Sequence, residues 1–306
     1  MSTIATTVAR PATPPPPAPK RRSVSPARIG AHVFLFTAAV LWAVPILWAM
    51  YTSLRPYDET SKNGYLSMPK HLTFSNFTTA WKQANLLHYF WNSVIITVPA
   101  VLFTLFFAAC VAYVLTRFRF WFNIPLLILF AAGNLLPPQV IITPLFRIYL
   151  SLHVPHFVSN NGILYNSFAG LIVINATFQL GFCVFVLSNY MKTIPHEITE
   201  AALIDGASVW TRFWKLTLPL CRPALAALAT LLTTWIYNDF FWAITLISSG
   251  SKRPITSALA NLQGQFFVNQ NLLAAGALIT AVPTLLVYVL LQKQFIAGLS
   301  LGSSKG

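Results

Sequence analysis

Six stretches of this chain, at about 29–54, 92–116, 121–147, 163–190, 223–248 and 272–292, are apolar almost without interruption. Each is long enough to cross a bilayer, because a hydrocarbon core about 30 Å thick needs roughly 20 residues at 1.5 Å per residue. In lipid the backbone must satisfy its own hydrogen bonds, so such uniform runs read as helices. The predicted fold class is an all-α membrane protein with six transmembrane helices. Pro45, Pro99, Pro137, Pro138, Pro144 and Pro283 fall inside the runs, where kinks rather than breaks are expected.

Charge is scarce. Only 8% of the 306 residues are Asp, Glu, Lys or Arg, against 56% hydrophobic, whereas soluble domains carry about 25% charged residues. The net charge of +14 does not point to nucleic acid, since the basic residues are spread over the links between apolar runs. With the N-terminus inside, thirteen of the twenty Lys and Arg fall on the cytoplasmic side. This bias predicts that both termini are cytoplasmic. Trp42, Trp48, Trp91, Trp121 and Trp242 lie toward run ends, where amphipathic rings collect.

Residues 1–28 are Pro-rich ("RPATPPPPAPKRR") and read as a disordered cytoplasmic tail. They lack the small-residue cleavage site of a signal peptide. Residues 29–294 form the membrane domain and 295–306 a cytoplasmic C-terminal tail. Cys110, Cys183 and Cys221 are isolated, without metal-ligand or CxxC spacing, and read as small buried hydrophobes. His153 and His156 read as a solvated pair in a short external loop, and no metal site is assigned.

Three of the six acidic residues, Glu197, Glu200 and Asp205, fall within nine positions of one link, 192–222. Pro195 suits a first helical turn, and Glu197 and Glu200 then sit near a positive helix end. Gly206 suits a stop in the left-handed conformation. Ser208 can cap a second helix, with Val209, Phe213 and Leu216 near one face, Trp210 and Trp214 beside it, and Leu218-Pro219 at its end. Helices of about ten residues are marginal alone in water, so this pair must dock, on its own bundle, on the lipid headgroups or on a partner.

The stretch "EAALIDGASVWTRFWKLTLP" resembles the EAA loop of ABC-importer permeases, through Glu200-Ala201-Ala202, Gly206, Leu216 and Leu218-Pro219. "FSNFTTAW", "FWNSVIIT", "WIYNDFFWAI" and the tail "QKQFIAGLSLGSSKG" are similar to the carbohydrate-uptake, maltose-type subfamily, specifically its six-span subunit. The long Pro-rich N-tail and "SLGSSKG" depart from the family's commoner pattern. The resemblance implies the type I importer permease fold and a bacterial plasma membrane location. It implies that the loop is a coupling helix seated in a cleft of an ATPase subunit. Glu200 would then pair with a basic group, Gly206 would allow the turn, and the Val209/Trp210/Phe213 face would pack the helix down, with Asp205 also among the coupling residues. Implied partners are a second homologous permease in a heterodimer, two ABC ATPases inside and an extracytoplasmic sugar-binding protein outside. The C-terminal tail is expected to reach the ATPases.

No G-x-x-x-x-G-K-[ST] loop or HExxH is present. The chain is therefore expected to be a non-catalytic subunit binding no cofactor, with ATP and Mg held by the partner ATPases. Polar residues in the spans form a candidate substrate path: Asp239 and Asn238 on the fifth, Asn175 and Gln179 four apart on the fourth, Asn134 and Gln139 around Pro137-Pro138 on the third. Carboxylates at such depth face a cavity or a partner helix, so path-lining and helix pairing both stand. The function expected is sugar import. Import of another solute and a stand-alone membrane enzyme or channel are the alternatives.

Overall fold

The computed structural model describes residues 26–118, 120–134, 136–262 and 268–300, with positions 258, 261 and 293–300 described by backbone alone. The sequence regions assigned to the two tails therefore lie largely outside the described residues. The chain divides into two compact units after Trp48. The described part of the first is helical throughout. It forms the greater part of α1 (Pro26–Ser53), which continues through Pro45. Residues 26–28, assigned to the tail, belong to this helix.

The second unit begins with the last turn of α1. Two short helices follow, α2 (Tyr57–Asn63) and α3 (Ser75–Gln83), and then the long α4 (Leu86–Arg117), uninterrupted at Pro99. After α5 (Asn123–Gly133), a 3-10 turn (Pro138–Ile141) leads into α6 (Ile142–Ser151). α7 (Phe168–Met191) is continuous, and α8 (His196–Ile204) and α9 (Val209–Thr211) lie in the next link. A π-helical turn (Arg212–Thr217) joins α9 to α10 (Leu218–Leu220), and α11 (Arg222–Tyr237) leaves at 71° to that segment. The remainder comprises α12 (Phe241–Leu246), α13 (Ile255–Ala258) and α14 (Gln270–Ser300).

Among the described residues four helices, α1, α4, α7 and α14, are long and apolar enough to cross a membrane, and two bent pairs bring the number to as many as six. Two expected spans are therefore corrected. The run 121–147 is not one helix, because α5 ends at Gly133 and Pro137 is extended (φ −61°, ψ 129°). Adjacent prolines remove two N–H donors and push the preceding residue out of the helical region, so the chain breaks there. The run 223–248 stops at Tyr237 and restarts at Phe241. Asn238 and Asp239 offer side-chain acceptors that compete with the helical ladder. Asp239 Oδ1 does so, accepting the Trp242 N–H at 3.2 Å.

The core is built on α4 against α7, with α11 packed on both and α14 on α11. The buried face of α4 carries Ala100, Thr104, Ala108 and Ala112, small residues at four-residue spacing. Small side chains let helix backbones approach closely where apolar burial supplies no drive between helices. Thr104 Oγ1 lies 3.5 Å from Ala176 O of α7. Gly181 serves the same end on another face of α7: a Cβ there would stand 2.2 Å from Phe130 O of α5. The opposite stripe of α4 (Trp91, Ile95, Val98, Leu102, Phe106) is exposed, as expected of a helix facing lipid or a neighbouring apolar chain.

Candidate functional site

The 192–222 link folds as two helices around a glycine. Pro195 precedes α8 in extended conformation and Glu197 lies in the first turn. Gly206 takes φ +74°, a backbone an L side chain resists by about 1–2 kcal/mol. Its N–H bonds Leu203 O at 3.0 Å and the Ala207 N–H bonds Ala202 O at 2.9 Å, which together close the helix in a Schellman motif. Ser208 Oγ then accepts the Thr211 N–H at 3.2 Å and opens the second helix.

That second helix does not stop at Leu218-Pro219 as the sequence suggests; it runs to Leu220. Pro219 cannot donate to an i−4 carbonyl. The π turn just before it, which shifts pairing to i−5, rearranges the ladder where that donor is missing.

The two helices differ in how they are held. Phe213 is buried and its ring lies 5.2 Å from Tyr113 of α4, while Trp214 stacks on Phe106 at 6.3 Å. Val209 and Trp210 remain exposed, bordering a small apolar groove with Cys110 and Val114. α8 buries none of its residues. Leu203 and Ile204 project into open space, Ile204 86% exposed. Glu200, Ala201 and Asp205 are exposed and Ala202 is half-buried. Among the described residues the single ion pair is Arg55–Glu59, so the three carboxylates of this loop have no cation there. One polar link ties α8 to the spans: Arg117 Nη2 donates to Met191 O at 3.3 Å while Nη1 lies 3.4 Å from His196 Nδ1.

The candidate path residues divide. Asn175, buried on α7, places Nδ2 3.4 Å from Asp239 Oδ2. Asn238 is exposed at the end of α11 and bonds Thr234 O. Gln179 lies one turn along α7 from Asn175, half-buried. Asn134 caps the end of α5, bonding Phe130 O at 3.3 Å close beside Gly181, and Gln139 is exposed in the 3-10 turn. Aromatic pairs follow the Asn175–Asp239 contact along α7, Phe178 with Trp242 at 5.4 Å and Phe182 with Trp235 at 5.4 Å.

A second polar centre escaped the sequence reading. Arg55, counted there as a loop cation, is completely buried. Its guanidinium donates to Glu59 Oε1 (3.1 Å), Ser67 Oγ (2.7 Å) and Tyr65 O (3.0 Å). Its own carbonyl accepts from Asn76 (2.8 Å) and Asn271 (3.0 Å). Glu59 in turn accepts the N–H groups of Lys70 and His71. The Lys70 N–H holds its carboxyl below the ordinary value of 4.5, burial opposing, with Arg55 and the His71 N–H adding to the lowering. The i,i+4 spacing of Arg55 and Glu59 was the available signal. Among the described residues no cluster of three or more His, Cys, Asp or Glu could hold a metal ion.

Comparison with known proteins gives these features a family. Residues 100–295 match the model of the binding-protein-dependent transport system inner membrane component. The diacetylchitobiose uptake system permease protein NgcG of Streptomyces coelicolor is 33% identical over 275 residues, 89% of this chain and 87% of that protein. The melibiose/raffinose/stachyose import permease protein MelC of Bacillus subtilis is 32% identical over 264 residues, 86% of this chain and 91% of that one. In fold, the chain resembles a solved bacterial ABC transporter involved in the import of the acidic polysaccharide alginate. The TM-score is 0.73 at 22% identity, covering 90% of this chain and 98% of that one. The chain is thus a member of the binding-protein-dependent transport system inner membrane components, the permease subunits of ABC importers.

Proposed function

We propose that this chain is one of two different membrane subunits of a bacterial importer for a carbohydrate or sugar derivative. The names of its relatives, which include uptake permeases for diacetylchitobiose and for melibiose, raffinose and stachyose, support the substrate class. The observation that carries the mechanism is α8, a nine-residue helix with no buried residue, held at the end of the bundle by a glycine turn and an aromatic second helix. An isolated helix that short is marginal in water, and its exposed Leu203, Ile204 and unpaired carboxylates suit a partner with an apolar cleft and a basic rim.

In this reading both termini face the cytoplasm and two ATPase subunits bind there, holding ATP and Mg themselves. Glu200 pairs with a basic group of the ATPase, Gly206 sets the angle of entry, and the C-terminal tail reaches the same subunits. A sugar-binding protein meets the opposite face near 55–90 and 250–271. Closure of the ATPases on ATP moves α8, and the two permeases rock as packed bodies to open the path outward. Hydrolysis resets them. Asn175, Gln179, Asn238 and Asp239 supply donors and acceptors for sugar hydroxyls on that path, with Asn134 and Gln139 nearer the α5–α6 break.

The test is reconstitution of the permease pair with its ATPases and binding protein in proteoliposomes. ATP-dependent accumulation of a labelled oligosaccharide supports the reading. Accumulation of a non-sugar solute alone overturns the substrate class, and conductance or catalysis by the purified chain without an ATPase overturns the mechanism.

A further inference from the structure

The segment after α2 reads Gly-Tyr-Leu-Ser-Met-Pro-Lys-His-Leu-Thr-Phe, residues 64–74. It has no regular secondary structure, yet it is firmly held. Buried Arg55 donates to the carbonyls of Gly64 and Tyr65 and to Ser67 Oγ. Glu59 takes the N–H groups of Lys70 and His71, and the Thr73 N–H bonds Leu54 O at 2.7 Å. This rigid loop nonetheless presents Leu66 (86% exposed), Met68 (88%), Leu72 and Phe74 outward. Large apolar side chains so fully exposed on a pinned backbone mark a surface that meets something apolar.

Its position identifies the occupant. Tyr51, in the last turns of α1, donates its hydroxyl to Ser67 O. The Arg55 guanidinium, just past the helix end, lies over the same Tyr51 ring at 5.2 Å. Ser67 therefore lies beside the end of α1, with Leu66 and Met68 on either side. α1 is long and apolar enough to cross a membrane, so a loop bonded to its last residues sits at the zone of the lipid headgroups. The exposed charges nearby are mostly cationic, Lys62 and Lys70 against Asp58, since Glu59 is committed to Arg55. A tyrosine, lysines and large apolar tips at one depth match the composition of interfacial segments.

We infer that residues 65–74 form an interfacial finger, which inserts Leu66 and Met68 into the bilayer leaflet at the C-terminal end of α1 and sets Lys62 and Lys70 against anionic headgroups. The buried Arg55–Glu59 pair is the clasp that holds this fold-back. The inference rests on α1 crossing the bilayer, is independent of the solute transported, and leaves the binding protein the rest of the 55–90 segment.

Single cysteines at Leu66, Met68 and, as a control on exposed α2, Ser61 carry a nitroxide label in the full chain. Cys110 is replaced by Ala, and Cys183 and Cys221 stay because both are buried. The protein is placed in vesicles of phosphatidylcholine with phosphatidylglycerol, and collision with oxygen is compared with collision with a water-soluble nickel chelate. The expected result is an oxygen-to-nickel ratio several-fold higher at 66 and 68 than at 61. A ratio at 66 and 68 equal to that at 61 overturns the inference. So does shielding that develops only when the binding protein or second permease is added, which would assign the patch to a protein instead.

Discussion

Asn175 of α7 and Asp239, at the break after α11, meet through Nδ2 and Oδ2 at 3.4 Å. The other carboxylate oxygen accepts the Trp242 N–H, and the Asp239 carbonyl accepts Thr256 Oγ1 at 2.9 Å. One acid thus ties α7, the start of α12 and the segment beyond Arg253.

Replacing Asp239 by Leu removes both acceptors, whereas Asn keeps one. Asp239→Leu is expected to lower ATP-driven uptake by about tenfold or more, the ratio that about 1.4 kcal/mol represents. Asp239→Asn is expected to retain most of it, with assembly intact in both. Uptake rates across sugar concentrations, normalised to assembled complex, test this; unchanged transport in the Leu variant reduces Asp239 to a packing residue.

At the exposed loop, Glu200→Lys reverses a charge and Gly206→Pro demands φ near −65° where the backbone has +74°. Both changes lie at exposed positions, so insertion is expected to survive. ATP hydrolysis is expected to continue while uptake per ATP falls. Normal coupling ratios in proteoliposomes would refute the role given to α8.

Gly181→Ala places a methyl 2.2 Å from Phe130 O, a backbone atom that cannot swing aside. The expected cost is about 1–3 kcal/mol as α5 is forced from α7. Gly133→Ala, with nothing within 4 Å of its Cβ, is expected to leave stability unchanged. Thermal melts of the purified variants in detergent give the comparison.

The Glu59 carboxyl has a lowered value in the folded protein. A depressed acid contributes stability that is fully present above its unfolded value, near 4.5, and lost as pH falls through the lower folded one. Hydrogen exchange in residues 64–74, corrected for intrinsic rate, is therefore expected to stay slow from neutral pH to about 4.5 and to quicken below it. In Glu59→Gln it should be faster at neutral pH and lack that transition.

Much of this arrangement was legible in the amino-acid order. The apolar runs gave α1, α4, α7 and α14, because a bilayer-length stretch without charge has few other folds open to it. Gly206 and Ser208 marked the helix boundaries of the exposed loop, since each residue type answers a specific backbone requirement. The breaks at Gly133 and Tyr237 were masked by continuous hydropathy, which reports burial in lipid and is silent on helix continuity. Arg55 was misjudged for a related reason. Side-chain charge suggested exposure, whereas burial depended on Glu59, Ser67, Asn76 and Asn271 converging from four separate segments, a fact of tertiary structure. The π turn ahead of Pro219 had no periodic signature at all.

The 71° elbow at Cys221 gives the molecule the geometry of a bell crank. In the mechanism proposed above, displacement along one arm, Val209–Leu220, would emerge as a swing of the other. With 16 residues the second arm is about 24 Å long, so a tilt of roughly 5° at the elbow carries its tip about 2 Å. That tip adjoins the Asn175–Asp239 contact, so in that mechanism a stroke of this size would reach a hydrogen bond at the far end.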